Sequence, residues 1–228
     1  MQIIHATLYK ALKQAVKWTL LPGNVADPVD PPKAPKREIK PLNEEQVKRL
    51  LKAADGDKLE ALYVLAITTG MRSGELLGPQ LKDLDLPAGI VQVRRTVFNG
   101  RIEVPKTAKG NRSIKLTETS IRALREHERT NGWVFCTNAE TTISVHNLHN
   151  RSWKPLLVRA ALPHNTRFHD LHHTCATLLL TKGVHPKIVQ EMLGHSSITI
   201  TLDTYSHVLP NMQQKAVEAM EDILDGKE

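Results

Sequence analysis

Six prolines fall between residues 22 and 41, and they constrain the fold more than any other feature of the chain. Proline lacks the backbone N–H and fixes φ, so neither a helix nor an internal strand can run through this stretch. The chain is therefore expected to divide into residues 1–21, a proline-rich basic linker over 22–41, and a domain over 42–228. The last piece is long enough for one well-buried core, and the first is not. Within the linker KAPKREIK is basic, and a polyproline II path of about 3.1 Å per residue would carry it roughly 60 Å.

Residues 4–20 read as an amphipathic helix with Leu8, Leu12, Ala15, Val16 and Thr19 on or near one side. One helix cannot bury such a face, so it is expected to be the last helix of a larger domain whose remainder is absent. Beyond the linker, Asn43 is an N-cap with Gln46 at N3, Leu42 can staple to Val47, and the helix they start runs to about Ala54. A core helix follows from Lys58 to Thr69, with Leu59, Leu62, Tyr63, Ala66 and Ile67 at helical spacing and Gly70 as its stop. Alternation and β-branching predict strands near 90–97, 101–105 and 112–116, joined as hairpins through Asn99-Gly100 and the Lys109-Gly110-Asn111 turn. Helices are expected near 117–130 and 144–160. A tail helix from about 210 sets Met212, Ala216, Met220 and Ile223 on one stripe. The fold class is thus mainly α with a small antiparallel β-sheet, α+β.

Charge narrows the partners. The net charge is +7 with a pI near 9.4. Residues 1–40 carry seven basic against three acidic side chains, residues 210–228 two against five, so the body is basic and the tail acidic. Such a body suits a polyanion, while aromatics at 4% are too sparse for a platform that stacks splayed bases. Cys136 and Cys175 stand far apart and imply no disulfide framework. No apolar run approaches the ~18 residues of a membrane span, and the amino terminus has no signal-peptide core. A cytoplasmic, soluble protein is expected.

The chemistry is concentrated between Arg167 and Val208, RFHDLHHTCATLLLTKGVHPKIVQEMLGHSSITITLDTYSHV. His169, His172 and His173 are three and four apart and share one helix face. His195 follows a glycine helix stop, and Tyr205 comes ten residues later. Any one of these residues reads as ordinary packing. Together they lay polar groups beside an oxygen nucleophile, an arrangement suited to phosphoryl transfer. Upstream, TGMRSGELL places Arg72 at a turn between helices with Glu75 three residues on.

HDLHH, LGH and TLDTYSHV, in that order and spacing, resemble the carboxy-terminal boxes of the tyrosine recombinases, the phage integrase family. TGMRSGEL resembles that family's first arginine box, and PKTAKGNRSIKL its lysine-bearing hairpin. The resemblance covers about residues 4–225 and implies a site-specific recombinase that cleaves and rejoins duplex DNA through a 3′-phosphotyrosyl link, with no metal or other cofactor. It implies Tyr205 as nucleophile, Arg72 as a charged fork on the phosphate oriented by Glu75, and His195 as a hydrogen-bond donor there. It also implies Lys106, or Lys109 if the loop shifts register, as the acid for the leaving 5′ oxygen, and His169 as an aid to proton movement near Tyr205. Double-stranded DNA is the implied partner, held by a homo-oligomer that is a tetramer in the recombination complex, with tail helices docked on neighbouring protomers and the linker passing along the duplex. Residues 1–21 would close a truncated core-binding domain. One position departs: His172 stands where the family has arginine. An attenuated enzyme follows, and if protonated His172 partly replaces the arginine, it gains relative to His172→Arg as pH falls toward about 6; the alternative is an attenuated or inactive integrase-like DNA-binding protein. A zinc hydrolase built on His169, His172 or His173 with His195 would need a HExxH-type motif and an acidic third ligand, and the chain offers neither.

Overall fold

The chain divides into two units, Met1–Ile39 and Lys40–Glu228. The computed structural model describes residues 2–31, 40–98, 100–103, 111–127, 132–206, 217 and 220–224. The first unit holds α1 (Gln2–Lys17), whose Ile3, Ile4 and Leu8 are exposed. Residues 22–31 of the proline-rich segment turn rather than extend. Asn24 is the cause: its Nδ2 donates to the Tyr9 carbonyl at 3.3 Å and its Oδ1 accepts from the Ala26 amide at 3.0 Å, pinning the chain back on its own helix. Residues 32–39 of the expected linker lie outside the described residues.

The second unit opens on α2 (Glu44–Ala54) with the expected reciprocal cap. Asn43 Oδ1 accepts from the Gln46 amide at 2.8 Å, and Gln46 Oε1 accepts from the Asn43 amide at 2.9 Å. Such a cap is worth about 1 kcal/mol. Next comes α3 (Glu60–Thr69), whose sequence is apolar on every side, so the helix can be stable only inside. Residues 61–67 are all buried, and Thr68 and Thr69 return their hydroxyls to the carbonyls of Val64 and Leu65. Gly70 ends it in the left-handed region, φ 61°, and the short α4 (Ser73–Leu76) follows at once.

The strands are β1 (Leu84–Asp85), β2 (Ile90–Val93), β3 (Thr96–Phe98), β4 (Arg101–Glu103) and β5 (Arg112–Lys115). The strand expected over 90–97 is in fact two. Arg95 leaves the ladder to ion-pair with the buried Asp83 and donate to the Gly78 carbonyl, which breaks the run between β2 and β3. In consequence β5 pairs antiparallel with β2, Val91 opposite Ile114, in the order β1-β2-β5, while β3 and β4 form a separate hairpin. Among the described residues, 101–103 pair with β3 and 112–115 with β2, and no pairing of the expected second hairpin, 101–105 with 112–116, occurs. Val91, Val93 and Ile114 are buried and can anchor the central pair, whereas Phe98 and Ile102 on the hairpin are exposed.

Helix α5 (Glu118–Glu126) is followed by a helical run over the expected 144–160 region: α6 (Val145–Asn147), a π-turn at Leu148–Trp153 and α7 (Lys154–Arg159). Trp153 is wholly buried; its Nε1 donates to the Thr166 carbonyl at 2.9 Å and its ring meets Phe168 edge-on at 5.4 Å. Phe168, held there, sets where α8 (Asp170–Thr181) begins. Then come α9 (Pro186–Leu193) and α10 (Ile198–Tyr205). Of the expected tail stripe, Met212 and Ala216 lie outside the described residues, and Met220 and Ile223 are exposed.

Candidate active site

The left-handed Gly70 leaves Met71 buried and the Arg72 side chain partly exposed at the start of α4. Arg72 Nη1 donates to Glu75 Oε1 at 3.3 Å and to the Leu193 carbonyl at 3.2 Å, while the Arg72 amide donates to Glu75 Oε2 at 2.9 Å. Glu75 is buried. Burial alone would raise its carboxyl, but the hydrogen bonds and charge of Arg112 and Arg72 hold it below the usual range. Arg112, on β5, grips that carboxylate bidentately, Nη1 to Oε1 and Nη2 to Oε2, both at 3.0 Å, and its Nε donates to the Met192 carbonyl at 2.8 Å. The sheet thus fixes a carboxylate, the carboxylate fixes Arg72, and both arginines hold the end of α9.

That end is Gly194, φ 66°, lying against the Arg112 guanidinium. It turns the chain so that His195 points inward, 6% exposed. His195 Nδ1 lies 2.8 Å from Thr201 Oγ1, and its Nε2 lies 3.3 Å from His172 Nε2. His172 is 3% exposed, and its Nδ1 faces the Gly70 carbonyl. Burial and then, against the pull of that carbonyl, the nearby Arg72 charge push His172 down to about 2; burial and Arg72 push His195 down to about 4. Both rings are neutral, so the tautomers follow from their partners. His172 carries its proton on Nδ1, donating to Gly70, and leaves Nε2 bare. His195 therefore donates from Nε2 to His172 and accepts the Thr201 hydroxyl proton at Nδ1. In the protein alone, the dryness of the position and the nearby Arg72 charge work against a protonated His172 near pH 6.

Tyr205 closes α10 and is 1% exposed. Its hydroxyl lies 2.7 Å from His173 Nδ1. Burial and neighbouring Cys175 hold the phenol well above its usual range, so it keeps its proton at neutral pH. Burial and His169 lower His173 to about 4. His169 starts α8 stacked on His172, ring centroids 5.3 Å apart, and edge-on to His173 at 5.1 Å; burial, then Arg167 and Arg72, lower it too.

Arg72, His169, His172, His195 and Tyr205, singled out from the sequence, therefore line one cleft together with His173. Lys106 and Lys109 lie outside the described residues. Sequence reasoning missed two members. Arg112 sits in NRSIKL, where only the pairing of β5 with β2 brings it beneath Glu75. His173 was legible as a face-mate of His169, but which histidine meets Tyr205 depends on how α10 crosses α8. Among the described residues no group of three or more His, Cys, Asp or Glu is arranged to hold a metal ion.

A mostly helical domain with a small antiparallel sheet, and with a histidine-rich cleft that pairs an arginine with a buried tyrosine, has the catalytic-domain fold of the tyrosine recombinases. The chain belongs to the Phage integrase family, which it matches over residues 40–212. It is 33% identical over 237 residues to a tyrosine recombinase XerC-like protein of Caldanaerobacter subterraneus subsp. tengcongensis, covering 91% of this chain and 59% of that protein. It is 26% identical over 239 residues to the ICEBs1 integrase of Bacillus subtilis, covering 97% of this chain and 65% of that one. The chain thus spans less than two thirds of either relative's length. Among solved structures, the Tn1549 transposon integrase in complex with a circular intermediate DNA superposes with a TM-score of 0.79 over 95% of this chain and 77% of that chain, at 24% identity, a likeness of fold.

Proposed function

We propose that this chain is the catalytic part of a site-specific recombinase that cleaves and rejoins duplex DNA through a 3′-phosphotyrosyl intermediate. The observation that carries the reading is Tyr205: a buried phenol in a cleft it shares with Arg72 and His195, its hydroxyl hydrogen-bonded to an uncharged imidazole. Solved complexes of the Tn1549 integrase with its DNA support a duplex as the partner. Tyr205 attacks phosphorus, and the new ester keeps the energy of the broken one, so the rejoining step draws on no nucleotide. Arg72, braced through Nη1 by Glu75 and Leu193, offers the rest of its guanidinium to the nonbridging oxygens. His195 turns its Nε2 proton from His172 to the same phosphate. Lys106 protonates the leaving 5′ oxygen, and His169 and His172 complete the wall of the cleft. The protein works in the cytoplasm or nucleoid as a homo-oligomer on DNA, a tetramer when strands are exchanged. Residues 1–21 form the end of a core-binding domain.

The test is a nicked duplex carrying the protein's own site, which releases a short strand on cleavage and traps the covalent adduct. The unmodified protein gives an adduct that migrates as protein plus DNA, and Tyr205→Phe gives none while binding the duplex as before. An adduct formed by Tyr205→Phe removes Tyr205 from the mechanism.

A further inference from the structure

The nearest base to the nucleophile is not the histidine that opens α8 but the one a turn later. We propose that His173 is a catalytic residue of this site, taking the phenolic proton of Tyr205 during cleavage and returning it when the strand is rejoined. The inference rests on the reading above, that Tyr205 attacks phosphorus. Its geometric basis is the 2.7 Å contact between Tyr205 Oη and His173 Nδ1, the one hydrogen bond of that hydroxyl among the described residues. A phenol is a stronger acid than a neutral imidazole N–H, so the hydroxyl donates and Nδ1 accepts, which places the proton of His173 on Nε2. His169 contacts His172 and His173 through its ring faces and edges, with no hydrogen bond to Tyr205.

The surroundings keep His173 ready. His169 and Asp170 on its own helix, Arg167 before it and Arg72 from the turn before α4 act on its charge, with burial the largest influence, and the sum leaves it neutral. His172 lies edge-on at 5.5 Å, Tyr205 of α10 faces it, and His195 lies close enough to feel its charge. In cleavage the Tyr205 O–H bond breaks and its proton passes to His173 Nδ1. The phenolic oxygen forms the bond to phosphorus, the P–O5′ bond breaks, and the departing electron pair takes a proton at the 5′ oxygen from Lys106. Rejoining reverses each transfer, and the imidazolium of His173 gives its proton back to the departing phenolate. The phosphorane-like charge beside it stabilises that imidazolium while it lasts.

The experiment measures single-turnover adduct formation on the nicked duplex from pH 6 to 9. His173→Asn places an amide oxygen where Nδ1 sits, so it keeps the hydrogen bond to Tyr205 and cannot carry the proton. The unmodified protein has a flat profile above about pH 6.5, because His173 is already unprotonated there. His173→Asn is expected to be about 10²–10⁴ slower and to gain about tenfold per pH unit as hydroxide takes over. His173→Ala, which leaves room for a small base, is expected to recover with added imidazole. A His173→Asn rate equal to that of the unmodified protein overturns the assignment. So does a loss that keeps the flat profile and that imidazole does not repair in His173→Ala, since a purely structural role predicts that pattern. An unmodified protein that forms no adduct overturns the phosphotyrosyl reading itself, and this proposal with it.

Discussion

At the scale of single residues, the unusual feature is His172. Its ring is engaged inside the site: Nδ1 donates to the Gly70 carbonyl, and Nε2 accepts a hydrogen bond from His195 Nε2. A family arginine here would hold two parallel donors on the phosphate; a neutral histidine holds none. Losing one preorganised donor typically costs about 10²–10³ in rate. His172→Arg is therefore expected to speed adduct formation by at least about tenfold, a cautious part of that range. Because His172 titrates only near 2, the ratio of the two rates stays constant between pH 6 and 8. Rate constants from the nicked duplex at three pH values check both statements. A ratio near one means another group already replaces the arginine, and a ratio that shrinks toward pH 6 means His172 does become charged.

At the scale of elements, the site depends on how α9 ends against the sheet. Gly194 has φ 66°, and a Cβ there would lie 2.6 Å from Arg112 Nη1 and 2.8 Å from its Cζ. Alanine is strained in that conformation and must displace the guanidinium that fixes Glu75. Gly194→Ala is expected to lower stability by roughly 1–3 kcal/mol, and to cut adduct formation at least about tenfold by loosening Arg72 and His195, on the scale of losing one positioned donor. Chemical denaturation and the nicked-duplex assay measure the two effects. Unchanged cleavage would show that Arg112 does not transmit its position to Arg72. The arrangement also explains why the break between β2 and β3 matters: with β5 returned to β2, Arg112 reaches Glu75.

At the scale of the whole molecule, the dry cluster of histidines makes the fold sensitive to acid. His172, His173 and His195 all have folded values below the ordinary 6.5, at about 2, 4 and 4. Below pH 6.5 the unfolded chain binds protons that the folded chain refuses, so stability is complete above that pH and falls as pH drops. His172 alone, buried by any measure, loses up to 1.36 kcal/mol per pH unit, or about 2 kcal/mol between pH 6.5 and 5. A domain of this size then melts roughly 4–8 °C lower at pH 5. Glu75, held below its usual range, adds to the loss only in stronger acid. Thermal melts across that interval provide the check, and a melting temperature that is level or rising toward pH 5 contradicts the neutral cluster.

Local signals decided much of this before any packing. Asn43 and Gln46 are near enough in sequence to cap a helix by themselves, Gly70 and Gly194 can adopt the left-handed turn that few other residues tolerate, and the apolar surround of Glu60–Thr69 leaves a buried helix as its one stable setting. The motifs around Arg72, His169, His195 and Tyr205 marked the cleft for the same reason, since each is a short run whose spacing survives folding. Long-range geometry decided the rest. Whether β5 pairs with β4 or β2 turns on Arg95 finding Asp83, twelve residues away, and so lies beyond any local pattern. The protonation of His172 depends on water excluded by α8 and on Arg72 across the cleft, and the choice of His173 over His169 depends on where the end of α10 meets α8. Sequence specifies which groups a chain carries and which short turns it makes, but hydrogen bonds act over about 3 Å, and only the packed core brings groups a hundred residues apart within that range.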